Sequence, residues 1–249
     1  MRVVCICGPT ASGKTKYTIE LAKRINGEIV SCDSMQLYKY MNIGSAKPTI
    51  EEQAEIKHYL VDEIDPKDKF SVARYQEMAK YAINDIFKKG KTPIVEGGTG
   101  LYLNSLIYDM DFSGGSFDNV SGDNNKTKDY EVVLIGLTRD REELYDRINN
   151  RVDIMVENGL FEEVKGLLEM GLTFDDISMK GIGYKEIISY FNGEYSKEEA
   201  IYKTKQNSRH FAKRQMTWFR RYDDMNWVNI SECKDDNEVI DKIIDILNK

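Results

Sequence analysis

The first fifteen residues place the strongest constraint on what this chain can fold into. An apolar run at 2–7, RVVCIC, leads directly into a segment that fits G-x-x-x-x-G-K-[ST] in full. Its glycines let backbone N–H groups approach phosphate oxygens, and the start of a following helix adds positive potential. The pattern predicts a strand, a phosphate-binding loop and a helix, with a diphosphate or triphosphate as ligand. The predicted contacts are Gly8, Pro9, Thr10, Ala11, Ser12, Gly13, Lys14 and Thr15, the last of which also supplies a hydroxyl ligand for Mg²⁺.

Hydrophobic periodicity predicts the fold class of the remaining chain. Short apolar runs at 28–31, 92–96 and 131–137 are typical of buried strands. Segments with helical spacing at 14–25 and 70–89 lie between the predicted strands as far as 92–96. Strands that alternate with helices indicate an α/β protein. We therefore expect a P-loop NTPase-like three-layer fold, in which helices cover both faces of a central parallel sheet.

The same patterns divide the chain into three parts. Residues 1–112 are predicted to form the first part of the P-loop α/β core, and 131–249 the last core strand and a helical C-terminal part. Residues 113–130 are rich in Gly, Ser, Asn and Asp and have little to bury, which predicts a flexible loop. The helical patterns after the last strand lie at 140–158, 160–170, 181–191, 196–221 and 235–248.

Composition limits the class of protein and its surroundings. The chain has 249 residues, of which 41% are hydrophobic and 31% charged, as in an ordinary globular protein. No apolar run approaches the roughly 18–20 residues that span a membrane, and the N-terminus lacks the layout of a signal peptide. We expect a soluble, cytoplasmic monomer. The formal net charge of −7 argues against nucleic-acid binding over the whole surface but allows a local basic patch.

Polar side chains follow two of the predicted strands. Asp33 comes just after 28–31, and Thr99 lies in the GGTG turn after 92–96. Loops at the carboxyl ends of parallel strands face the ligand crevice, so both residues should reach the cleft beside the phosphate loop. Asp33 there serves as a general base or metal ligand, or else as a helix N-cap. Thr99 donates to a phosphate oxygen or caps a helix at 100–107, and Lys47 is expected to be solvated.

Two predicted helices carry clustered cations. Arg147 and Arg151 lie at the edge of an apolar stripe, where arginine binds phosphate in a bidentate way or joins a surface ion pair. The segment 200–222 contains no Asp or Glu, and helical projection separates its cations from its aromatic residues. We favour a polyanion contact, because clustered cations release phosphate counterions. These cations are Lys203, Lys205, Arg209, Lys213, Arg214, Arg220 and Arg221.

Four segments in this order resemble the tRNA dimethylallyltransferases, also called tRNA isopentenyltransferases. They are GPTASGKT, DSMQLYKYMNIGSAKPT, GGTGLY and KRQMTWFRR, and the resemblance extends over nearly the whole chain apart from about 113–130. It implies transfer of a dimethylallyl group from dimethylallyl diphosphate to N6 of adenosine 37 in tRNAs that read codons starting with U. The product is N6-isopentenyladenosine, the cofactor Mg²⁺, and the RNA partner the tRNA anticodon stem-loop, with no membrane involved.

The resemblance also implies a role for individual residues. The loop from Gly8 to Thr15 holds the diphosphate of the prenyl donor, and Asp33 corresponds to the general base that takes a proton from the adenine amine. Thr99 and Arg147 correspond to residues that contact the diphosphate and the reacting centre. The positions that match tRNA contacts are Asp33, Ser34, Met35, Gln36, Lys180, Gly181, Ile182, Gly183, Tyr184, Lys185, Lys213, Arg214, Gln215, Met216, Thr217, Trp218, Phe219 and Arg220.

This chain departs from the family in one region. The family carries a helical insertion domain before the strand at 131–137, and here the polar loop 113–130 stands in its place. Its absence favours an alternative, an adenylate dimethylallyltransferase that prenylates free AMP, ADP or ATP, whereas the basic segment 200–222 favours tRNA. A P-loop small-molecule kinase, which would bind ATP in the same loop, and a non-catalytic RNA-binding protein are further alternatives.

Overall fold

A parallel β-sheet forms the centre of the protein. The computed structural model describes residues 1–108, 110 and 126–249. The sheet has six strands, all pairing in parallel, in the order β3-β2-β4-β1-β5-β6. The strands are β1 (Arg2–Cys7), β2 (Gly27–Ser31), β3 (His58–Tyr59), β4 (Thr92–Gly97), β5 (Glu131–Thr138) and β6 (Asn226–Asn229).

Helices connect and follow these strands, which confirms the predicted α/β class. They are α1 (Lys14–Arg24), α2 (Ile50–Glu55), α3 (Val72–Lys88), α4 (Gly100–Ile107), α5 (Arg141–Glu157), α6 (Leu160–Glu169), α7 (Tyr184–Phe191), α8 (Lys197–Phe219) and α9 (Asp236–Leu247). The predicted segments agree with these bounds to within three residues. The short elements β3, β6 and α2 were missed, although α2 has a sequence signal in the capping box between Thr49 and Glu52.

The three layers follow from the alternation of side chains along each strand. On one face, Val4, Ile6 and Ile94 pack with apolar residues of α1 and α9. On the other face, Cys5 and Val95 pack with apolar residues of α3 and α4. Both faces of the sheet are therefore covered, as the sequence predicts for a parallel sheet.

The helices after β5 belong to the same hydrophobic core. Leu160 of α6, Tyr184 of α7 and Ala200 of α8 are buried in the cluster that also contains Val30 and Val95 of the sheet. Helix α7 begins three residues later than predicted, after Gly183, whose φ of 95° lies in the left-handed region that favours glycine. Helix α8 thus reaches the carboxyl ends of the strands.

The predicted loop 113–130 lies mostly outside the described residues. Among its last five residues, Lys126 forms an ion pair with Asp224 at 2.8 Å, and the buried Tyr130 donates a hydrogen bond to the Leu106 carbonyl at 3.1 Å. Over the part of the chain that the structure describes, no helix combines the length and apolar character needed to cross a membrane.

Candidate active site

The glycine-bounded loop joins β1 to α1, which confirms the predicted strand, loop and helix. A Cβ on Gly8, whose φ is +152°, would lie 2.3 Å from the Leu137 carbonyl oxygen, so only glycine fits there. Gly13 has a φ of 101° and precedes the first turn of α1. Lys14 opens that helix, and its Nζ donates to the Pro9 carbonyl at 2.9 Å, across the loop.

A cavity of about 790 Å³ opens over this loop. It lies at the carboxyl edge of the sheet, and its volume is in the range of small-molecule sites. The loop supplies one wall and the residues after β2 and β4 another, and α5, α8 and the residues around the start of α7 also line it. The predicted site residues Lys14, Thr15, Asp33, Thr99 and Arg147 all line this cavity.

Asp33 lines the cavity and anchors the turn that follows β2; residues 34–37 form a turn and not a helix, so the N-cap interpretation is wrong. Its Oδ1 accepts hydrogen bonds from the backbone N–H groups of Met35 at 2.8 Å and Gln36 at 3.4 Å, as in an Asx turn. Oδ2 is left to accept a proton from a ligand in the cavity. Burial raises the pKa of Asp33, while the Met35 amide and the Lys14 ammonium oppose that rise. The carboxylate is therefore fixed in direction and holds a proton more readily than an exposed aspartate.

Thr99 directly precedes α4, but its side chain makes no capping hydrogen bond to that helix. Thr99 is therefore the N-cap residue of α4 by position, with its carbonyl accepting from the Leu103 N–H at 3.1 Å, and its hydroxyl is not used for capping. Its Oγ1 instead accepts a hydrogen bond from the Ser34 amide at 3.1 Å, which joins the turn after β4 to the turn that carries Asp33. A hydroxyl that accepts one bond still has its own proton to donate, and that proton is available to a ligand oxygen.

Two arginines of α5 approach the phosphate loop. Arg147 donates from Nε to the Ala11 carbonyl at 2.9 Å, and Nη1 of Arg151 lies 3.5 Å from Thr10 Oγ1. Both side chains turn to the loop, which favours the phosphate-binding interpretation over a surface ion pair. Burial lowers the pKa of each, and the neighbouring arginine adds to this effect: Arg139 acts on Arg147, and Arg147 on Arg151. Clustered cations of this kind favour a polyanionic ligand.

Arg139 and Glu96 are charged residues of the site that were not predicted from the sequence. Arg139 follows β5 and donates from Nε to the Ser12 carbonyl at 3.0 Å. Glu96, near the end of β4, is only 4% exposed, and its Oε1 accepts a hydrogen bond from Thr15 Oγ1 at 3.3 Å. Burial raises the pKa of Glu96, and the Lys14 ammonium opposes that rise. Both residues stand at the carboxyl ends of strands, so the argument applied to Asp33 would have found them.

Helix α8 joins the two glycine turns through Gln215. Its Oε1 accepts from the Thr10 amide at 2.8 Å, and its Nε2 donates to the Gly98 carbonyl at 2.9 Å. Trp218, one turn further on, packs so closely on Gly100 that a Cβ there would lie 2.3 Å from the indole ring. The residue matched to a tRNA contact at 215 is thus buried and spans the floor of the site.

The other predicted tRNA contacts divide by exposure. The side chains of Tyr184 and Phe219 are buried in the core, and Gln36 is bonded to Ser31 and Ala46, so these residues can affect RNA binding only through their neighbours. Gly183 is also buried, and Ser34, Met35, Gly181, Ile182, Lys185, Met216 and Trp218 are half-buried. The exposed members are Lys180, Lys213, Arg214, Thr217 and Arg220.

Two cationic residues of α8 are paired within the protein. Lys205 Nζ lies 2.6 Å from Asp153 Oδ1, and Arg209 donates to Asn149.

The expectation that Lys47 is solvated was wrong. Its side chain is only 4% exposed, and its Nζ donates to the Tyr38 carbonyl, Asn42 and Asp62. These cations stabilise the fold, so the available cationic surface is smaller than the sequence suggested.

The oxygen atoms around the phosphate loop fit a hard divalent cation. The Thr15 hydroxyl and the Glu96 carboxylate are the ligand types that Mg²⁺ prefers. The described residues contain no group of three or more His, Cys, Asp or Glu side chains placed to hold a metal. A cation here would therefore take most of its ligands from phosphate oxygens and water, which is usual for Mg²⁺.

Fold and site together define a class: a P-loop protein with a cavity built for a diphosphate or triphosphate, a carboxylate beside it and a cationic helix at its edge. The family model described as IPP transferase matches residues 36–123 and 112–222. The chain belongs to this family of tRNA-modifying prenyltransferases.

Individual relatives agree over nearly their whole length. The tRNA dimethylallyltransferase of Acetivibrio thermocellus is 45% identical over 96% of this chain and 95% of its own, and that of Clostridioides difficile is 44% identical over 97% and 96%. A solved tRNA isopentenylpyrophosphate transferase from Bacillus halodurans is 36% identical, with a TM-score of 0.88 over 99% of this chain and 97% of its own. One from Staphylococcus epidermidis is also 36% identical, with a TM-score of 0.89 over 99% and 98%.

The alignment reveals an internal difference in length. The match to the Acetivibrio protein extends over 296 positions, more than the 249 residues of this chain, so the relative carries residues that are absent here. The two segments of the family match overlap at 112–123, within the polar stretch between α4 and β5.

Proposed function

We propose that this protein transfers a dimethylallyl group from dimethylallyl diphosphate to N6 of adenosine 37 in tRNAs that read codons starting with U, with Mg²⁺ as cofactor. One observation carries the proposal. A loop suited to a leaving pyrophosphate and a fixed carboxylate suited to the attacking amine, Asp33, line a single cavity. The cationic surface of α8 borders that cavity through Arg214.

The leaving group is stabilised on the side of the phosphate loop. When the allylic C–O bond breaks, negative charge develops on the pyrophosphate oxygens. Backbone N–H groups, Lys14, Arg147 and Arg151 are in place to stabilise that charge. Mg²⁺, when bound with the Thr15 hydroxyl as its protein ligand, adds further neutralisation of the pyrophosphate.

The acceptor is activated on the opposite side. As the adenine N6 forms its new C–N bond, it loses a proton to Asp33 Oδ2, while the electron pair of the C–O bond leaves with pyrophosphate. An adenine amine is a weak nucleophile, so much of the rate must come from holding it in line with the allylic carbon. The base must leave the RNA stack to enter the cavity, and its entry helps to exclude water from the reactive carbon.

The acceptor RNA is proposed to contact the exposed cations near the cavity mouth. Lys180 and Lys185 line the cavity, and Lys213 and Arg220 are exposed on α8. Free adenylate remains the second candidate acceptor, because this chain lacks residues that its tRNA-modifying relatives carry between α4 and β5.

A transfer assay with two acceptors tests the proposal. The protein is incubated with labelled dimethylallyl diphosphate, Mg²⁺ and either bulk tRNA or AMP, and the labelled nucleoside is identified after digestion. Label in N6-isopentenyladenosine of tRNA, and none in AMP, is the expected result. Label in AMP alone would identify the adenylate enzyme, and label in neither would reject prenyl transfer. ATP consumption with an added small-molecule acceptor is the corresponding test for a kinase.

A further inference from the structure

Glu96 is a buried carboxylate at the base of the cavity that the proposed reaction does not use. Strand alternation places it on the same face of β4 as Ile94, the face that α1 covers. The first turn of α1 carries Thr15, and this position explains the 3.3 Å hydrogen bond from Thr15 Oγ1 to Glu96 Oε1. Glu96 is therefore fixed beneath the hydroxyl that the phosphate loop offers to a metal.

The direction of this hydrogen bond matters for metal binding. A hydroxyl binds a cation through an oxygen lone pair, so its proton must point elsewhere. Glu96 accepts that proton, which leaves the lone pairs of Thr15 Oγ1 directed away from the carboxylate, to the cavity side. Partners that orient a ligand in this way typically change metal affinity by about 10–100-fold.

The charges near Glu96 indicate the same role. Its cationic neighbours are Lys14 and Arg151, which also face the site of the diphosphate. A diphosphate that arrives without a metal must share those cations with Glu96 and Asp33 and is repelled by both carboxylates. A divalent cation bound together with the diphosphate would offset that repulsion.

We propose that Glu96 is a positioning residue for the metal: it orients the Thr15 hydroxyl as a ligand and makes diphosphate binding dependent on a divalent cation. This inference rests on the proposed diphosphate site. Removing the charge of Glu96 should therefore strengthen pyrophosphate binding without Mg²⁺ and weaken it with Mg²⁺. The reason is that the same carboxylate opposes the anion when the metal is absent and supports the metal–anion complex when it is present.

The test measures pyrophosphate affinity by calorimetry, once in EDTA and once with saturating Mg²⁺. For Glu96→Gln we expect tighter binding in EDTA by several-fold and a loss of about 10–100-fold in the enhancement that Mg²⁺ produces. Glu96→Asp keeps the charge but draws it back from Thr15, so it should retain the weak binding in EDTA and still lose enhancement. Glu28→Gln, a buried carboxylate at the other end of the sheet, is the matched control and should change neither affinity.

Each outcome decides between the roles. Equal losses with and without Mg²⁺, or no change in either, would show that Glu96 only supports the fold and overturn the inference. If Glu96→Gln does not fold, Glu96→Asp still tests the loss of enhancement by Mg²⁺, and full enhancement in that variant would overturn the inference. A wild-type protein that binds no pyrophosphate overturns both this inference and the proposed function. Wild-type protein that binds Mg²⁺–pyrophosphate but transfers no prenyl group rejects the proposed function alone.

Discussion

Two buried carboxylates at opposite ends of the sheet have opposite surroundings. Glu28, near the amino end of β2, is 5% exposed and accepts hydrogen bonds from Lys91 at 2.8 Å, Tyr59 at 2.9 Å and Lys89 at 3.3 Å. Burial alone would raise the pKa of Glu28, but these three partners outweigh it and lower the pKa. Glu96, at the carboxyl end of β4, is about as buried, yet burial raises its pKa.

The difference shows where the fold supports stability and where it supports binding. At the amino edge, donors satisfy both oxygens of Glu28, so the buried charge lowers the free energy of the folded state. At the carboxyl edge, Asp33 and Glu96 both have raised pKa values beside Lys14 and Arg151, in a cavity open to a ligand. Groups with perturbed pKa values in a cavity are typical of functional sites.

The largest expected effect comes from removing the negative charge of Asp33 at the carboxyl edge of the sheet. Asp33→Asn keeps the turn that Met35 and Gln36 form but cannot accept the proton from the adenine amine. We expect the rate of transfer to fall by about 10²–10⁴-fold, the usual contribution of a general base, while the affinity for pyrophosphate with Mg²⁺ changes little. The measurements are single-turnover transfer to tRNA and calorimetry. A variant that transfers at the wild-type rate would show that Asp33 only anchors its turn.

Gln215 allows the geometry of the same edge to be tested without changing its charge. Gln215→Leu removes both hydrogen bonds that hold the phosphate loop against the Gly98 turn, so the leaving group and Asp33 lose their fixed separation. We expect kcat to fall by about 100-fold, as for a misplacement of roughly 1 Å, with a much smaller change in KM for the donor. Gln215→Glu keeps the acceptor for Thr10 but sets a carboxylate oxygen against the Gly98 carbonyl, so it should not restore kcat. Equal changes in tRNA affinity and kcat would instead favour direct RNA contact.

Reversing the exposed cations of α8 tests whether the edge of the cavity binds RNA. Lys213→Glu with Arg220→Glu should weaken binding of the tRNA anticodon stem-loop by about 10-fold or more at low salt, and reduce the slope of log affinity against log salt by about two. Donor affinity should not change, because neither side chain lines the cavity. Parallel losses of donor and RNA affinity would mean that the substitutions damage the helix.

The smallest effects concern stability and should have opposite pH dependence at the two edges. Glu28 has a lowered pKa, so its contribution to stability is present above its ordinary value of 4.5 and is lost as pH falls through the folded value. Glu28→Gln should therefore lower the free energy of unfolding by about 1–3 kcal/mol at pH 7 and by almost nothing at low pH.

Asp33 has a raised pKa, so its ionisation opposes folding, and Asp33→Asn should raise Tm relative to wild type at neutral pH. Thermal unfolding between pH 3 and 8 measures both effects. If both variants had a lower Tm than wild type at pH 7, the two edges of the sheet would not differ in this way.

Local pattern was sufficient for much of the molecule. Periodicity and glycine chemistry within a few residues predict the phosphate loop, the longer strands and the long helices. The structure confirms these elements. Strand β3 has only two residues and β6 four, too short for a period to be recognised. Asp33 and Thr99 were predicted to reach the cleft because the ends of parallel strands can be located from sequence, whereas for Arg147 the helical pattern left a surface ion pair open.

Partners distant along the chain could not be inferred in this way. Gln215 meets Thr10 and Gly98 only because α8 crosses the carboxyl edge of the sheet, at separations of 205 and 117 residues. Lys47 looked like a solvated cation because Asp62 is 15 residues away in the chain. Such contacts depend on how helices pack, which local periodicity does not specify.

By itself, the sequence located the phosphate-loop motif, with its glycines and with a lysine and a threonine at a helix start, and an acid-free basic segment at 200–222. Only the tertiary structure decided which charges are paired and which face the cavity. The physical reason is that the charge state and direction of a side chain depend on burial and on neighbours brought close by packing. Glu28 and Glu96 are both glutamates in buried strands, and only their surroundings distinguish them.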